Sequence, residues 1–267
     1  MNGQLEVTVL GCGSSGGVPR ADGNWGACDP EEPRNRRRRC SLLLRRLGQG
    51  PQTTVVVDTS PDFREQAIAA GIQRLDHILL THDHADQTHG IDDVRAFFLN
   101  QRNRIPAHMD ATTEASLSRK FGYIFEAEGG YPAICERRRL TVGQPVELNG
   151  PSGVVPALPF DVRHGAIRSL GFRFGPVAYI PDVDELPESA FEALAGVDVL
   201  IVDALRHTPH PTHAHLDRTL EWIDLIKPAR AVLTNMHIDM DYRALCESLP
   251  ERVEPAWDGI SLTVQIG

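Results

Sequence analysis

Short apolar runs recur along the chain, and most of them end on a polar residue. Runs of about four to eight residues rich in β-branched and leucine side chains are typical of strands. Seven runs predict strands: LEVTVLG, CSLLLRRL, TTVVVDTS, HILLT, VAYIPD, VDVLIVDA and ARAVLTNMH. Further strands are predicted around Leu140, Val155 and Phe172.

Helical periodicity appears between these runs. Ser60 and Pro61 fit the N-cap and first turn of a helix that Gly71 ends. Further helices are predicted after position 90 and near 112–120. The clearest apolar stripe consists of Leu216, Leu220, Ile223 and Ile226. Because strands alternate with helices in both halves and no internal repeat is visible, we predict an α/β layered fold.

The charge balance narrows the range of functions. A formal net charge of −9 argues against general nucleic-acid binding, because affinity for the phosphate backbone comes mainly from lysine and arginine. Five scattered cysteines fit reduced thiols, and neither a leader segment nor an apolar run of membrane-spanning length is visible. We therefore expect a cytoplasmic protein without membrane contact. One local exception to this acidic balance is the arginine-rich segment PRNRRRRC, which lies in a long Gly-rich loop. Its arginines are either exposed to solvent or face a phosphate group of a ligand.

The stretch THDHADQTHGID, positions 81–92, places three histidines and three aspartates directly after the apolar run HILL. His82 and His84 are two residues apart in an extended segment, so both can project to one side. Asp86 follows at the predicted start of a helix. Imidazole and carboxylate groups are ligands of zinc, manganese and iron. Other predicted strands are followed by three more candidates: His164, Asp182 and His237.

Strand ends on one edge of an α/β sheet can bring distant residues together. The candidates at these ends suffice for two metal ions. The first ion would take His82, His84 and His164. The second would take Asp86 and His237, with Asp182 bridging the two.

These residues resemble the metallo-β-lactamase fold hydrolases, whose H-x-H-x-D-H motif is followed by a distant His, Asp and His. Asp58 matches the early structural aspartate of that family. The resemblance implies one domain over 1–267, folded as a four-layer αββα sandwich with a dinuclear site on one edge. GCGSSGGVP, DTSPDFREQ and HADQTHGIDDVR look most like the phosphodiesterase branch. That branch includes ribonuclease Z and the phosphoribosyl 1,2-cyclic phosphate phosphodiesterase of the carbon–phosphorus lyase pathway.

Gln87 departs from the family pattern, which has a histidine ligand at this place. An amide oxygen is a poor ligand for zinc compared with imidazole, so we expect the second site to be weakened unless another group compensates. His89 would share a helical face with Asp86 and is the candidate replacement. Its alternatives are a contact with substrate or a cap of the loop.

The resemblance also implies the residues that act on the substrate. A general acid is expected at the start of the helix in HLDRTLEW, where His215 takes the matching place. His213 lies on the same edge and is expected to contact the substrate, whereas His207 and His210 read as ordinary loop residues. The arginine cluster would hold a terminal phosphate through one or more of Arg36, Arg37, Arg38 and Arg39.

The predicted function is therefore a metal-dependent phosphodiesterase with two Zn or Mn ions, acting on a small cyclic phosphate or nucleotide-like substrate. A metal-held hydroxide would attack, with Asp86 and Asp182 orienting it. The sequence leaves a homodimer open, and Cys28 and Cys40 alone do not predict a structural zinc. One alternative is a thioester or lactone hydrolase with the same metals. Another is a non-catalytic carrier protein of cofactor assembly.

Overall fold

The computed structural model describes residues 3–266, which form two seven-stranded sheets. The first sheet consists of β1 (Gly3–Gly11), β2 (Ser41–Leu47), β3 (Thr53–Val57), β4 (His77–Leu79), β5 (Ile105–Met109), β6 (Cys135–Arg139) and β14 (Ser261–Ile266). The second consists of β7 (Val146–Gly150), β8 (Gly153–His164), β9 (Ile167–Phe174), β10 (Val177–Ile180), β11 (Val199–Asp203), β12 (Arg230–Thr234) and β13 (Val253–Pro255). Their strand orders are β14-β1-β2-β3-β4-β5-β6 and β13-β12-β11-β10-β9-β8-β7.

Each sheet combines antiparallel and parallel pairing. In the first sheet β14, β1, β2 and β3 pair antiparallel, and β3 to β6 pair in parallel. In the second sheet β7 to β10 pair antiparallel, and β10 to β13 pair in parallel. Because parallel strands end at the same edge of a sheet, the loops that follow them are neighbours in space.

Helices cover the outer faces of both sheets. They are α1 (Phe63–Ala69), α2 (Ala85–Thr88), α3 (Arg95–Gln101), α4 (Ala111–Lys120), α5 (Gly122–Phe125), α6 (Glu188–Leu194), α7 (Leu216–Ile226) and α8 (Tyr242–Ser248), with 3₁₀ turns at Pro33–Asn35 and Ile91–Val94. Residues of α1 and α3 to α5 share an apolar cluster with the first sheet, and residues of α6 to α8 share one with the second. Among residues 3–266, no helix is both long enough and apolar enough to span a membrane.

The predicted four-layer αββα sandwich is confirmed, with small local differences. The helix predicted from position 61 begins at Phe63, with Asp62 as its N-cap. The Ser60 hydroxyl accepts from the Asp62 amide at 3.2 Å and donates to the Gln66 side chain at 2.9 Å. The helix predicted after position 90 is divided into a 3₁₀ turn and α3. Gly90 packs so closely against this region that an added Cβ would lie 2.0 Å from the Ser60 carbonyl oxygen.

A buried pair of histidines joins β4 to β5. His77 Nε2 donates to the carbonyl oxygen of Asn149 at 2.9 Å, so the neutral ring accepts at Nδ1 from His108 Nε2 at 3.0 Å. Burial lowers the pKa of both imidazoles, and with the neighbouring His77 ring it brings the pKa of His108 to about 3. The pair is therefore neutral in the folded protein near pH 7.

This pair should make the fold sensitive to acid. Histidine in the unfolded chain has a pKa of about 6.5. Below that pH the unfolded chain therefore binds a proton at position 108 that the folded protein does not bind. His108 alone should then lower the unfolding free energy by about 1.4 kcal/mol per pH unit, until the pH approaches its folded pKa. In His108→Gln, which cannot titrate, chemical denaturation between pH 7.5 and 5 should show a shallower loss of stability.

The exposed His207 provides the matched control for this measurement. His207→Gln should keep the wild-type dependence on pH. If His108→Gln also kept it, the buried pair would not be the cause of the acid sensitivity.

Candidate metal centre

The loop after β4 is held in place by a buried aspartate. Asp58 follows β3 in a left-handed backbone conformation with φ 62°. Its carboxylate accepts from the Thr81 amide at 2.9 Å and from the Thr81 hydroxyl at 3.0 Å. The oxygen of that hydroxyl lies 3.0 Å from His82 Nδ1 and can accept its proton. This chain of hydrogen bonds orients the His82 ring and leaves Nε2 free of a proton.

His82 Nε2 is buried and has no hydrogen-bond partner within the described part of the chain. A buried polar atom without a partner is unfavourable, and one that faces other donors indicates a ligand. Burial and the nearby His164 hold the pKa of His82 well below its ordinary value, so the ring is neutral. A neutral imidazole is the form that binds a metal.

His84 and His164 complete a three-histidine group with His82. One ligand atom from each ring lies within 4.8 Å of the others. His164 Nδ1 donates to the Thr212 carbonyl oxygen at 2.7 Å, which turns its Nε2 towards His84 Nδ1 at 3.3 Å. Burial, reinforced by His213, lowers the pKa of His164 to about 4. The three residues predicted for one ion are thus brought together, and their donor set fits a divalent transition metal.

The residues predicted for a second ion are arranged differently. Asp182 is buried, and it accepts a hydrogen bond at 2.9 Å from Nε2 of Gln87, which also lies 3.4 Å from Asp86. His237 is engaged at both ring nitrogens: Nδ1 lies 3.0 Å from an Asp239 oxygen, and the Arg20 guanidinium contacts Nε2. Among the described residues, a different group has potential ligand atoms that all lie within 4.8 Å of one another. It consists of His164, Asp182 and His213, and we call it and the three-histidine group the two groups of facing donors.

His89 lies outside both groups of facing donors. It is exposed, and its ring packs edge-on against Phe121 with centroids 5.4 Å apart. Its position therefore gives no support to the expectation that His89 replaces the missing ligand at position 87.

A cleft opens beside the three-histidine group, and His213 is one of the residues that line it. Its Nδ1 lies 2.8 Å from a carboxylate oxygen of the fully buried Asp203, and its ring centroid lies 4.6 Å from that of His164. Burial alone would lower the pKa of His213, but Asp203, Asp182 and Asp86 outweigh it and raise the pKa to about 9. The ring is therefore oriented by a carboxylate with Nε2 available to a substrate.

His215 occupies the N-cap position of α7, is half-buried, and makes no capping hydrogen bond with its side chain. The Ala214 amide donates to the Val183 carbonyl at 2.6 Å, which ties this segment to the loop after β10. His213 consequently lies over Asp203, whereas His215 starts the helix and does not line the cleft. The structure therefore gives no geometric support to the predicted role of His215 as a general acid. That role stays a prediction, which the activity of a His215 variant can test.

The arginines of PRNRRRRC make contacts within the protein. Arg37 is buried and donates to the Met240 carbonyl at 2.7 Å. Arg38 pairs with Asp258 at 3.0 Å, and Arg39 pairs with Asp62 at 2.9 Å. Arg36 lies over the Trp25 ring, with its guanidinium carbon 5.1 Å from the centroid. The positions of these arginines do not support the predicted contact with a substrate phosphate, because none of them lines the cleft beside the three-histidine group.

Two other arginines and a histidine line the cleft in their place: Arg20, Arg206 and His210. Arg20 lies in the long loop after β1, and the length of that loop is the only feature of the sequence that points to it. Arg206 and His210 belong to the histidine-rich segment before α7, where His210 reads as an ordinary loop residue. Their role depends on which strand ends meet, and local spacing does not reveal that.

Gln87→His tests the donor arrangement, because it adds an imidazole beside Asp86 and Asp182. We expect the wild type to retain about one tightly bound divalent ion per chain, on His82, His84 and His164. The variant should bind a further ion more tightly than the wild type. Elemental analysis after dialysis and titration with Zn²⁺ or Mn²⁺ provide the measurement.

Two further variants complete this experiment. His164→Ala should lose the first ion, and His89→Gln should match the wild type. Two ions held with equal affinity by the wild type would show that Gln87 does not weaken the second site.

Comparison with known proteins agrees with this geometry. Residues 53–238 match the family described as the beta-lactamase superfamily domain. A crystal structure of a diphosphatase from the PhnP family is 34% identical, covers 100% of this chain and 99% of its own, and superimposes with a TM-score of 0.89. The Zn²⁺-bound PqqB of Methylobacterium extorquens shares the fold, with 18% identity, coverage of 96% and 99%, and a TM-score of 0.72.

A curated octanoyltransferase from Porphyromonas gingivalis is 28% identical over 97% of this chain. The chain spans about half the length of that relative, 52%. Together with the site, these findings support a metal-dependent hydrolase. The domain match and the 34% identity along the whole chain show that the protein belongs to the beta-lactamase superfamily and, within it, to the PhnP family.

Proposed function

We propose that the protein is a metal-dependent phosphodiesterase that acts on a small cyclic phosphate or nucleotide-like substrate. The observation that carries the proposal is the pairing of His213 with Asp203 directly beside the three-histidine group. This arrangement combines a place for a metal ion with an oriented imidazole that can reach the same ester group. Both features accelerate the hydrolysis of an ester with a poor leaving group.

His82, His84 and His164 would hold the ion, with Asp182 adjacent to them. A divalent ion in such a site polarises a phosphoryl oxygen and lowers the pKa of water. Neighbouring residues orient the histidine rings that would hold the ion. Asp58, through Thr81, fixes the ring of His82, and the Thr212 carbonyl fixes that of His164. Such outer hydrogen bonds keep ligand rings in one orientation.

His213 is the group we assign to proton donation. Asp203 holds its Nδ1, and Asn235 supports Asp203 by donating to the other carboxylate oxygen at 3.2 Å. Nε2 can therefore deliver a proton to the leaving oxygen of an ester placed against the three-histidine group. A phosphodiester with an alkoxide leaving group gains most from such a donor.

The lining of the cleft favours a phosphate ester over an acyl substrate. Arg20, Arg206 and His210 surround the space next to His213. Guanidinium groups match phosphate oxygens in charge and geometry. The PhnP-family relative is itself a diphosphatase, which supports a phosphorylated substrate over an acyl one.

The thioester hydrolase is the second candidate, and the octanoyltransferase relative is the observation that favours it. An apolar groove between α1 and α3, lined by Phe63, Ile68 and Phe97, could accept an acyl chain. This groove shares no lining residue with the cleft. Turnover of bis(p-nitrophenyl) phosphate against a panel of acyl thioesters, with bound metal quantified, separates the two candidates. Thioester turnover alone would overturn the proposal.

Replacing His213 should distinguish proton donation from ligand or structural roles. A good leaving group departs without a proton, so His213→Gln should slow an alkyl phosphodiester roughly a hundredfold or more and a p-nitrophenyl ester much less. Steady-state rates on the two esters, measured at matched metal content, provide the comparison.

His215→Gln is the paired variant, because the sequence predicts the same role for that residue. We expect it to change both rates equally and only slightly. A selective loss on the alkyl ester in His215→Gln would restore the sequence-based assignment. Equal losses on both esters in His213→Gln would remove His213 from proton donation.

A further inference from the structure

The ring of His84 has less support from its surroundings than the other two rings of the three-histidine group. Hydrogen bonds from outside the group orient His82 through Thr81 and His164 through the Thr212 carbonyl. His84 is exposed, and among residues 3–266 its ring has a hydrogen-bond contact only with His164 Nε2, at 3.3 Å. Before an ion binds, the orientation of this ring therefore depends on the backbone that carries it.

The peptide groups on both sides of His84 are hydrogen-bonded. The Asp83 carbonyl accepts from Lys120 Nζ at 2.8 Å, and the His84 carbonyl accepts from the Thr88 hydroxyl at 2.8 Å. Because a peptide group is planar, fixing the groups before and after a residue fixes both of its backbone dihedral angles. These angles are φ −65° and ψ 154° at His84, and its ring centroid lies 4.5 and 5.1 Å from those of the other two histidines.

Lys120 holds the side chain of Asp83 as well as its carbonyl. Nζ of Lys120 lies 3.0 Å from Asp83 Oδ2, and the buried Ser116 donates its hydroxyl to the same oxygen. An ammonium group has three N–H donors, so one lysine can bond to both oxygens at once. The residue between His82 and His84 is thereby fixed at its main chain and at its side chain.

The helix that carries Lys120 and Ser116, α4, is itself anchored to the first sheet. Leu117 is fully buried in the apolar cluster that the helix shares with this sheet. Arg139 of β6 pairs with Glu114 at 3.0 Å. Lys120 therefore belongs to an element that other contacts keep in place, and it links that element to the loop after β4.

These contacts assign a function to a residue outside the donor group. We infer that Lys120 is a positioning residue of the metal centre, which fixes the backbone of His84 and thereby slows the release of the ion. An ion leaves such a site by losing one ligand at a time. His84 is the exposed ligand, whereas His82 and His164 are buried, so its detachment is the step that Lys120 opposes. The inference rests on the proposed function, because it takes the three-histidine group as the metal centre.

An effect on the metal can be separated from an effect on the fold. The side chains of Lys120 and Asp83 are 39% and 29% exposed. An ion pair in contact with water contributes little to folding. By contrast, loss of a group that orients a metal ligand typically weakens metal binding about 10- to 100-fold. Replacing Lys120 should therefore change metal affinity much more than the stability of the apoprotein.

Lys120→Met tests the inference, because methionine keeps most of the side chain and removes the ammonium group. The affinity for Zn²⁺, measured by competition with a chromogenic chelator, should fall by about tenfold or more, and Zn²⁺ should dissociate correspondingly faster. Lys120→Arg should keep part of the affinity, since a guanidinium can still donate to both oxygens of Asp83. Thermal unfolding of the apoprotein is the second readout and should shift little in either variant.

The chain offers a matched control, because Lys120 and Lys227 are its only lysines. Lys227 is exposed at the C-terminal end of α7, on the other sheet. Lys227→Met should keep the wild-type affinity and dissociation rate. Thr88→Val removes the hydroxyl that bonds to the His84 carbonyl without a large change of shape, and it should accelerate the release of Zn²⁺ in the same direction as Lys120→Met.

Two results would overturn the inference. One is a wild-type affinity and dissociation rate in Lys120→Met. The other is a loss of affinity in Lys120→Met that comes with a large fall in the melting temperature of the apoprotein, which would make Lys120 a residue of the fold. Failure of the proposed function looks different, because the metal-loaded wild type would then hydrolyse no phosphodiester while the effect of Lys120→Met on Zn²⁺ binding remained.

Discussion

The metal centre depends on one buried carboxylate. Asp58 is fully buried between the ends of β3 and β4, where burial raises its pKa well above the ordinary value. A polar group in such a place must be hydrogen-bonded, and the amide and hydroxyl of Thr81 meet this requirement. The same hydroxyl fixes the tautomer of His82. The need to satisfy one carboxylate therefore determines which nitrogen His82 presents to an ion, although Asp58 itself does not belong to the donor group.

Two of the three donor histidines, His82 and His164, share a low affinity for protons. His82 and His164 are buried, and both have a lowered pKa. His213 has the opposite environment, because carboxylates on three sides raise its pKa. The fold thus gives neighbouring imidazoles different proton affinities: His82 and His164 are neutral, whereas His213 holds a proton. Gln87 is also part of this polar site, because its amide donates to the buried Asp182.

The sequence predicted those parts of the fold and site that depend on local pattern. Apolar runs that end on polar residues located β3, β4, β10, β11 and β12, and the spacing of His82 and His84 placed both on one side of the chain. It could not reveal contacts between distant segments. Arg37 looks like a surface cation in PRNRRRRC. In the structure it is buried and donates a hydrogen bond to the Met240 carbonyl, more than 200 positions away in the sequence. His213 and His215 are equivalent by spacing, and only the packing of Asp203 against one of them separates their surroundings.

The ties between the loop after β1 and the end of the chain also affect how the protein is made. Arg37 is held by Met240 and Arg38 by Asp258, and Gly13 pairs with Met236. The three-histidine group leaves the ribosome long before these partners are synthesised. Contacts between such distant segments form late, because a long loop must close first. A nascent chain therefore carries all three histidines before the loop after β1 has the partners that anchor it, so this loop should be the last part of the cleft to become ordered.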